Sequence, residues 1–202
     1  RLTGGEPLLR HDLESLVAML ARVPGVEDLT LTTNGALLAR HAAGLAAAGL
    51  HRVTVSLDSL DDATFVAGND SPVPVSQVLA GIEAAAAAGL TPIKINVVVR
   101  RGVNDGEVAA LARRFQGTGG IVRFIEYMDV GHSNGWRLEH VVPAAEIVAA
   151  VNAEMPLEAI PANYPGEVAR RFRLKDGSGE IGVVGSVTLP FCGDCTRVRL
   201  SA

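Results

Sequence analysis

The only two cysteines of the chain, Cys192 and Cys195, stand three residues apart in "LPFCGDCTRVRL" at 189–200. Two thiolates at this spacing can grip one metal from one side, and zinc and iron–sulfur clusters both use such pairs. Either ordinarily wants four ligands. The five histidines, His11, His41, His51, His132 and His140, show no paired ligand spacing and read as surface or loop residues. The missing ligands must then come from beyond residue 202 or from a bound substrate; an accidental pair of free thiols is the alternative. Arg197 and Arg199 follow at once, and in an extended segment residues two apart point the same way. Guanidinium forks match phosphate and carboxylate. The pair reads as a clamp on an anion beside the metal, with an exposed strand face as the alternative.

Such groups need a scaffold. Short β-branched runs alternate with alanine-rich helical stretches over the first 130 residues. Strands are expected at "RLT" (1–3), "DLTLTTN" (28–34), "RVTVSLD" (52–58), "IKINVVV" (93–99) and "VRFIEYM" (122–128), with helices near 12–22, 37–48, 61–68, 75–88 and 105–116. Gly49 and Gly89 sit where two helices should stop. Asn104 followed by Glu107 has capping-box spacing. Strand–helix alternation argues for parallel strands joined by crossovers. After residue 130 the rhythm changes: a loop "VGHSNGW", a helix at "PAAEIVAAVN" (143–152) with Pro143 in its first turn, then "EVARRFRLK", "DGSGE" and "IGVVGSV" as a hairpin leading to the cysteines.

Buried parallel strands usually read as continuous apolar runs, and these do not. Alternation sorts Leu29, Leu31, Val53, Val55, Leu57, Ile93, Ile95, Val97, Val122 and Phe124 onto one face, which should meet the helices. The other face carries Arg1, Thr3, Thr30, Thr32, Asn34, Thr54, Ser56, Asp58, Lys94, Asn96 and Arg123. An ordinary α/β barrel fills its interior with branched apolar side chains. A polar interior is explained if it holds a polar, partly anionic ligand. The competing reading is an antiparallel sheet whose polar face meets water.

Composition bounds the partners. The 202 residues are 48% hydrophobic and 20% charged, with a net charge of -4. That is ordinary globular material, with no reason to expect nucleic acid or an anionic membrane as a partner. There is no signal peptide, no apolar run long enough to cross a bilayer, and no disulfide framework, so a reduced, cytoplasmic setting is expected.

The strings "RLTGGEPLLR", "LTTNG", "VSLDS", "IKINVVV", "RFIEYMDVG", "NGW" and "PFCGDCTRVRL", in this order over essentially the whole chain, resemble the GTP 3′,8-cyclases of molybdenum cofactor biosynthesis, the MoaA family of the radical S-adenosylmethionine (SAM) superfamily. The resemblance implies a partial, TIM-like (β/α)6 barrel over 1–130, here without its first strand. A small α+β region that starts at 131–202 would hold an auxiliary [4Fe–4S] cluster. It implies conversion of GTP to (8S)-3′,8-cyclo-7,8-dihydroguanosine 5′-triphosphate. The cofactors would be SAM and two [4Fe–4S] clusters, the first held by a Cys-x-x-x-Cys-x-x-Cys loop. By resemblance Gly5, Ser56 and Met128 sit against SAM; Arg1, Thr32, Lys94, Arg123, Arg197, Val198 and Arg199 contact GTP; Cys192 and Cys195 are two of three auxiliary-cluster ligands.

The first cysteine loop, the strand that carries it and the third auxiliary cysteine are not in these residues. The chain therefore reads as a piece lacking both ends, inactive by itself and with an open edge beside "RLTGG". The family also makes a homodimer an expectation, with a downstream cyclic pyranopterin monophosphate synthase. The alternatives are another radical SAM maturase with an auxiliary cluster, or a non-catalytic zinc-binding barrel.

Overall fold

The computed structural model describes residues 1–69, 72–130, 135–189 and 200–201. They form a mixed α/β structure of two compact units. One comprises Arg1–Leu57, Phe65–Ile95 and the described residues of Arg197–Ala202; the other, Asp58–Thr64 and the described residues of Asn96–Thr196.

In the first unit β1 (Leu2–Thr3), β2 (Thr30–Thr33) and β3 (Arg52–Ser56) lie side by side and parallel, Leu2 opposite Leu31 and Thr32 opposite Thr54. Helices α1 (Leu13–Ala21) and α2 (Leu38–Ala47) connect them in turn, and α4 (Val75–Ala87) packs on α2. The antiparallel alternative is thereby overturned for these strands. The edge of β1 is not open either, since β9 (Leu200–Ser201) pairs with it in parallel.

Helix ends follow their glycines. Gly49, at φ 99°, closes α2 with Leu50 N–H to Leu45 O and Gly49 N–H to Ala46 O, both at 3.0 Å. Gly89, at φ 82°, ends α4 through the same pair of bonds to Ala85 and Ala86. These doubled bonds satisfy carbonyls that a helix end otherwise leaves bare. Leu31, Val53 and Val55 are wholly buried. A Cβ added to Gly35 would lie 2.8 Å from Val78 Cγ1 and 2.9 Å from Val55 Cγ1, so Val55 points at α4 and its neighbours Thr54 and Ser56 point away.

In the second unit the strand order is β6 (Leu157–Ile160), β7 (Arg170–Leu174), β8 (Glu180–Val184), β5 (Ile121–Glu126) and β4 (Lys94–Val99), whose residues from Asn96 belong here. β6–β7 and β7–β8 are antiparallel. The hairpin is as the sequence predicts; the parallel pairing of β8 with β5 and the edge strand β6 are not foreseen in it. The physical sign was present: Ile181, Val183 and Val184 are all buried, as a central strand requires. α5 (Val108–Phe115) and α6 (Ala144–Glu154) pack on one another and on β5.

One expected device is replaced. Asn104 does not cap a helix with its side chain. Its amide accepts from Arg100 N–H at 2.7 Å and donates to Asp58 O at 2.6 Å and Val98 O at 2.9 Å. Glu107 turns instead to Ser59 Oγ and Leu60 N–H. Asn104 is only 4% exposed, and a buried amide there must satisfy strand-end carbonyls before anything else.

Candidate functional site

The first unit builds its site on the carboxyl ends of β1 and β2, where α/β proteins usually place ligands. Glu6 joins the two loops. Its carboxylate accepts from Leu8 N–H at 3.1 Å, from Thr33 Oγ1 at 2.6 Å and from Asn34 N–H at 2.8 Å. Thr33 Oγ1 in turn accepts from Gly35 N–H at 3.0 Å. Gly35 needs its positive φ of 81° for this turn, and Gly4 turns at φ 145°. Gly5 is thus carried on a braced loop, exposed, with nothing within 4 Å of the place a Cβ would take.

On the face turned from the helices, Arg1, Thr32, Ser56 and Lys94 are each half-buried. Arg52 shares this strand face but its guanidinium is matched to Asp28, whose carboxyl it holds below the usual range. Thr32 Oγ1 and Thr54 Oγ1 are buried and have no hydrogen-bond partner among the described residues. An orphaned hydroxyl costs about 1–3 kcal/mol, and two side by side make this face the candidate for a polar ligand.

The second unit presents Arg123 and Met128. Arg123 lays Nε at 3.0 Å and Nη2 at 2.7 Å on Asn96 Oδ1. Gly182 lies opposite Arg123 in the β5–β8 register, and a Cβ there would press within 3.3 Å of Arg123 Cγ. The bare glycine makes room for the arginine stem. Met128 is 37% exposed just past the end of β5. Beside it Tyr127 O accepts from Trp136 Nε1 at 2.9 Å, and the Arg100 guanidinium stands 5.1 Å from the Tyr127 ring centre.

Two carboxylates here were not singled out from the sequence as candidates. Asp58 was sorted onto the polar face by parity, but nothing in the sequence shows how deeply it lies. Burial pushes its carboxyl up to about 6, against the opposing pull of Val98 N–H, which donates to it at 2.8 Å. A carboxyl shifted this way at the end of a parallel strand is a functional candidate. Glu126 is fully buried, and accepts from Ala144 N–H at 2.6 Å, Val187 N–H at 2.7 Å, Thr188 N–H at 2.8 Å and the Thr188 hydroxyl. Burial pushes this carboxyl up, but the donors led by Thr188 outweigh it and hold the group below the usual range. The signal for Glu126 was an acid at an inward position of an otherwise apolar strand face.

Cys192, Cys195, Arg197, Val198 and Arg199 lie outside the described residues. Among the described residues no three His, Cys, Asp or Glu side chains gather where they could hold a metal, and no helix is long and apolar enough to cross a membrane.

A family model of the Radical SAM superfamily matches residues 1–115, and one for Molybdenum Cofactor Synthesis C matches residues 121–202. Along all of its length the chain is 63% identical to a protein of Acidothermus cellulolyticus, 54% to one of Xanthomonas axonopodis pv. citri and 44% to one of Staphylococcus saprophyticus, each named GTP 3′,8-cyclase. The chain belongs to the radical SAM superfamily. It spans 56%, 60% and 59% of the lengths of those three proteins.

Membership in the radical SAM superfamily implies SAM and iron–sulfur clusters. The residues present suit a polar organic cofactor: orphaned hydroxyls at Thr32 and Thr54, and a braced glycine loop with open space before Gly5. For a cluster, the donor set of this radical SAM chain is its two thiolates, three residues apart and short of a full ligand set.

Proposed function

We propose that the polypeptide of which this chain is part converts GTP to (8S)-3′,8-cyclo-7,8-dihydroguanosine 5′-triphosphate. The observation that carries the reading is the 63% identity, over every residue of the chain, to a protein named GTP 3′,8-cyclase. The polar strand faces support it. In this reading residues 1–130 form a partial (β/α)6 barrel and 131–202 begin an auxiliary-cluster domain.

SAM and its cluster supply, when bound, the one-electron chemistry that takes a hydrogen from the ribose. Gly5, Ser56 and Met128 would hold SAM. Arg1, Thr32, Lys94, Arg123, Arg197, Val198 and Arg199 would hold GTP, the cations meeting its phosphates. Cys192 and Cys195 would ligate an auxiliary cluster, with its further ligand and those of the first cluster supplied from outside these 202 residues. What these side chains contribute is position: gripping both ends of one anionic nucleotide removes its freedom and presents one ribose carbon.

The test uses the full-length protein, purified and reconstituted without oxygen. Iron and sulfide, GTP binding in the micromolar range, and strong loss of that binding in Arg197→Ala/Arg199→Ala are expected. Zinc at about one per chain without iron, absence of GTP binding, or undiminished affinity in the double variant overturns the reading.

A further inference from the structure

Thr54 is 0% exposed at the middle of β3, opposite Thr32 on β2 in the parallel register. Both hydroxyl oxygens are buried and neither has a hydrogen-bond partner among the described residues. The next threonine of β2 behaves otherwise: Thr33 Oγ1 donates to Glu6 at 2.6 Å. The orphaned pair is therefore not a general property of this strand. Valine has the shape of threonine without the hydroxyl and already stands at 53 and 55. Burial alone would favour it at 54 as well. Neighbouring strands run about 4.8 Å apart, so facing threonine hydroxyls come within hydrogen-bond reach by one rotation about χ1. Thr32 is half-buried whereas Thr54 is sealed, so of the pair only Thr32 reaches the surface, and the same χ1 rotation is what turns its buried hydroxyl toward a ligand.

We infer that Thr54 is a positioning residue for the nucleotide: its hydroxyl donates to Thr32 Oγ1, which leaves the Thr32 proton aimed at an acceptor oxygen or nitrogen of the bound ligand. A hydroxyl can donate once and accept twice, so the relay fixes the sense of both bonds. Ligand binding satisfies two buried groups at once, and the ligand-free protein carries the cost of leaving them unpaired. The inference rests on the proposed GTP-binding reading and adds a residue to it.

The experiment titrates GTP into the reconstituted full-length protein by calorimetry, beside thermal melts taken before GTP is added. Thr54→Val should raise the Tm of the ligand-free protein and weaken GTP binding about 3–10-fold. Thr54→Ser should bind within about twofold of the parent, since it restores the donor. Thr54→Val/Thr32→Val should bind no worse than Thr32→Val alone, because one relay is broken in either case. Thr54→Ala replaces the valine variant if that does not fold, with the same loss of affinity expected. Parental GTP affinity in Thr54→Val or Thr54→Ala, or additive losses in the double variant, overturns the relay while leaving the function intact. A parent that does not bind GTP overturns the function itself and the relay with it.

Discussion

Glu126 and Ala144 meet at 2.6 Å, the buried carboxylate at the end of β5 taking the first N–H of helix α6. The same carboxylate accepts from Val187 and Thr188, which immediately precede the cysteine-bearing stretch in sequence. One anion, with no cation partner among the described residues, thus serves as helix cap and loop anchor together. The helix N-terminus supplies part of the compensating charge.

Glu126→Gln keeps the shape but sets an amide against N–H donors. Unfolding the full-length protein in urea at pH 7 should show a loss of about 2–4 kcal/mol. The folded carboxyl lies below its ordinary value, so its contribution is present above the unfolded value and disappears as pH falls through the folded one. The difference between parent and variant should therefore shrink under acid, below the ordinary carboxylate range. A constant difference from pH 7 down to pH 3 would contradict it.

Asp58 predicts the opposite sign. Its folded carboxyl is pushed up to about 6, above the unfolded value, so burying the charge costs nothing in acid and costs most above pH 6. Asp58→Asn can still accept from Val98 N–H and removes the charge. It should stabilise the protein by about 1–3 kcal/mol at pH 7.5 and by almost nothing near pH 4. Denaturant midpoints at the two pH values check this. A stabilisation equal at both would mean that desolvation is not the cause.

Gly35 should tolerate no side chain. It sits at φ 81° in the turn after β2, and a Cβ would meet Val78 and Val55 inside 3 Å. Gly35→Ala combines backbone strain with overpacking and should cost about 2–4 kcal/mol. Gly68 in α3 (Asp62–Asn69) has nothing within 4 Å of its added Cβ. There alanine should be neutral or stabilise by up to about 1 kcal/mol through helix propensity. Thermal melts of the two variants should move in opposite directions or leave Gly68→Ala unmoved.

Strand parity was the most legible feature because it depends only on a period of two. Leu31, Val53, Val55, Ile95, Val97 and Phe124, sorted by alternation, are all 0% exposed. Helix ends at Gly49 and Gly89 were legible because positive φ restricts the residue type. Long-range pairing was not: β8 joins β5 across a gap of more than fifty residues, and no local pattern encodes a partner. The uses of Asn104 and Glu6 were hidden for a related reason. Both polar side chains answer backbone groups that only the folded chain brings near. The candidate ligand face was legible as a class of residues, whereas the missing bonds of Thr32 and Thr54 emerged only from the fold.

Asn96 and Arg123 support the last prediction. Two guanidinium nitrogens share Asn96 Oδ1, so the arginine plane is held before any ligand arrives. Holding a long side chain in place lowers the entropy lost when it binds phosphate. In the proposed nucleotide site, Arg123→Ala should weaken GTP binding by about tenfold or more, as expected for a charge-assisted bond. Arg123→Lys keeps the charge but loses the fork, so it should recover only part of the affinity and should retain the salt dependence. Asn96→Ala leaves the charge in place and frees its direction; a loss of about 3–5-fold, from ordering alone, is expected. Calorimetric titration at two salt concentrations separates the cases, because only Arg123→Ala should flatten the dependence on salt. Equal affinity for parent and Arg123→Ala would remove this arginine from the site.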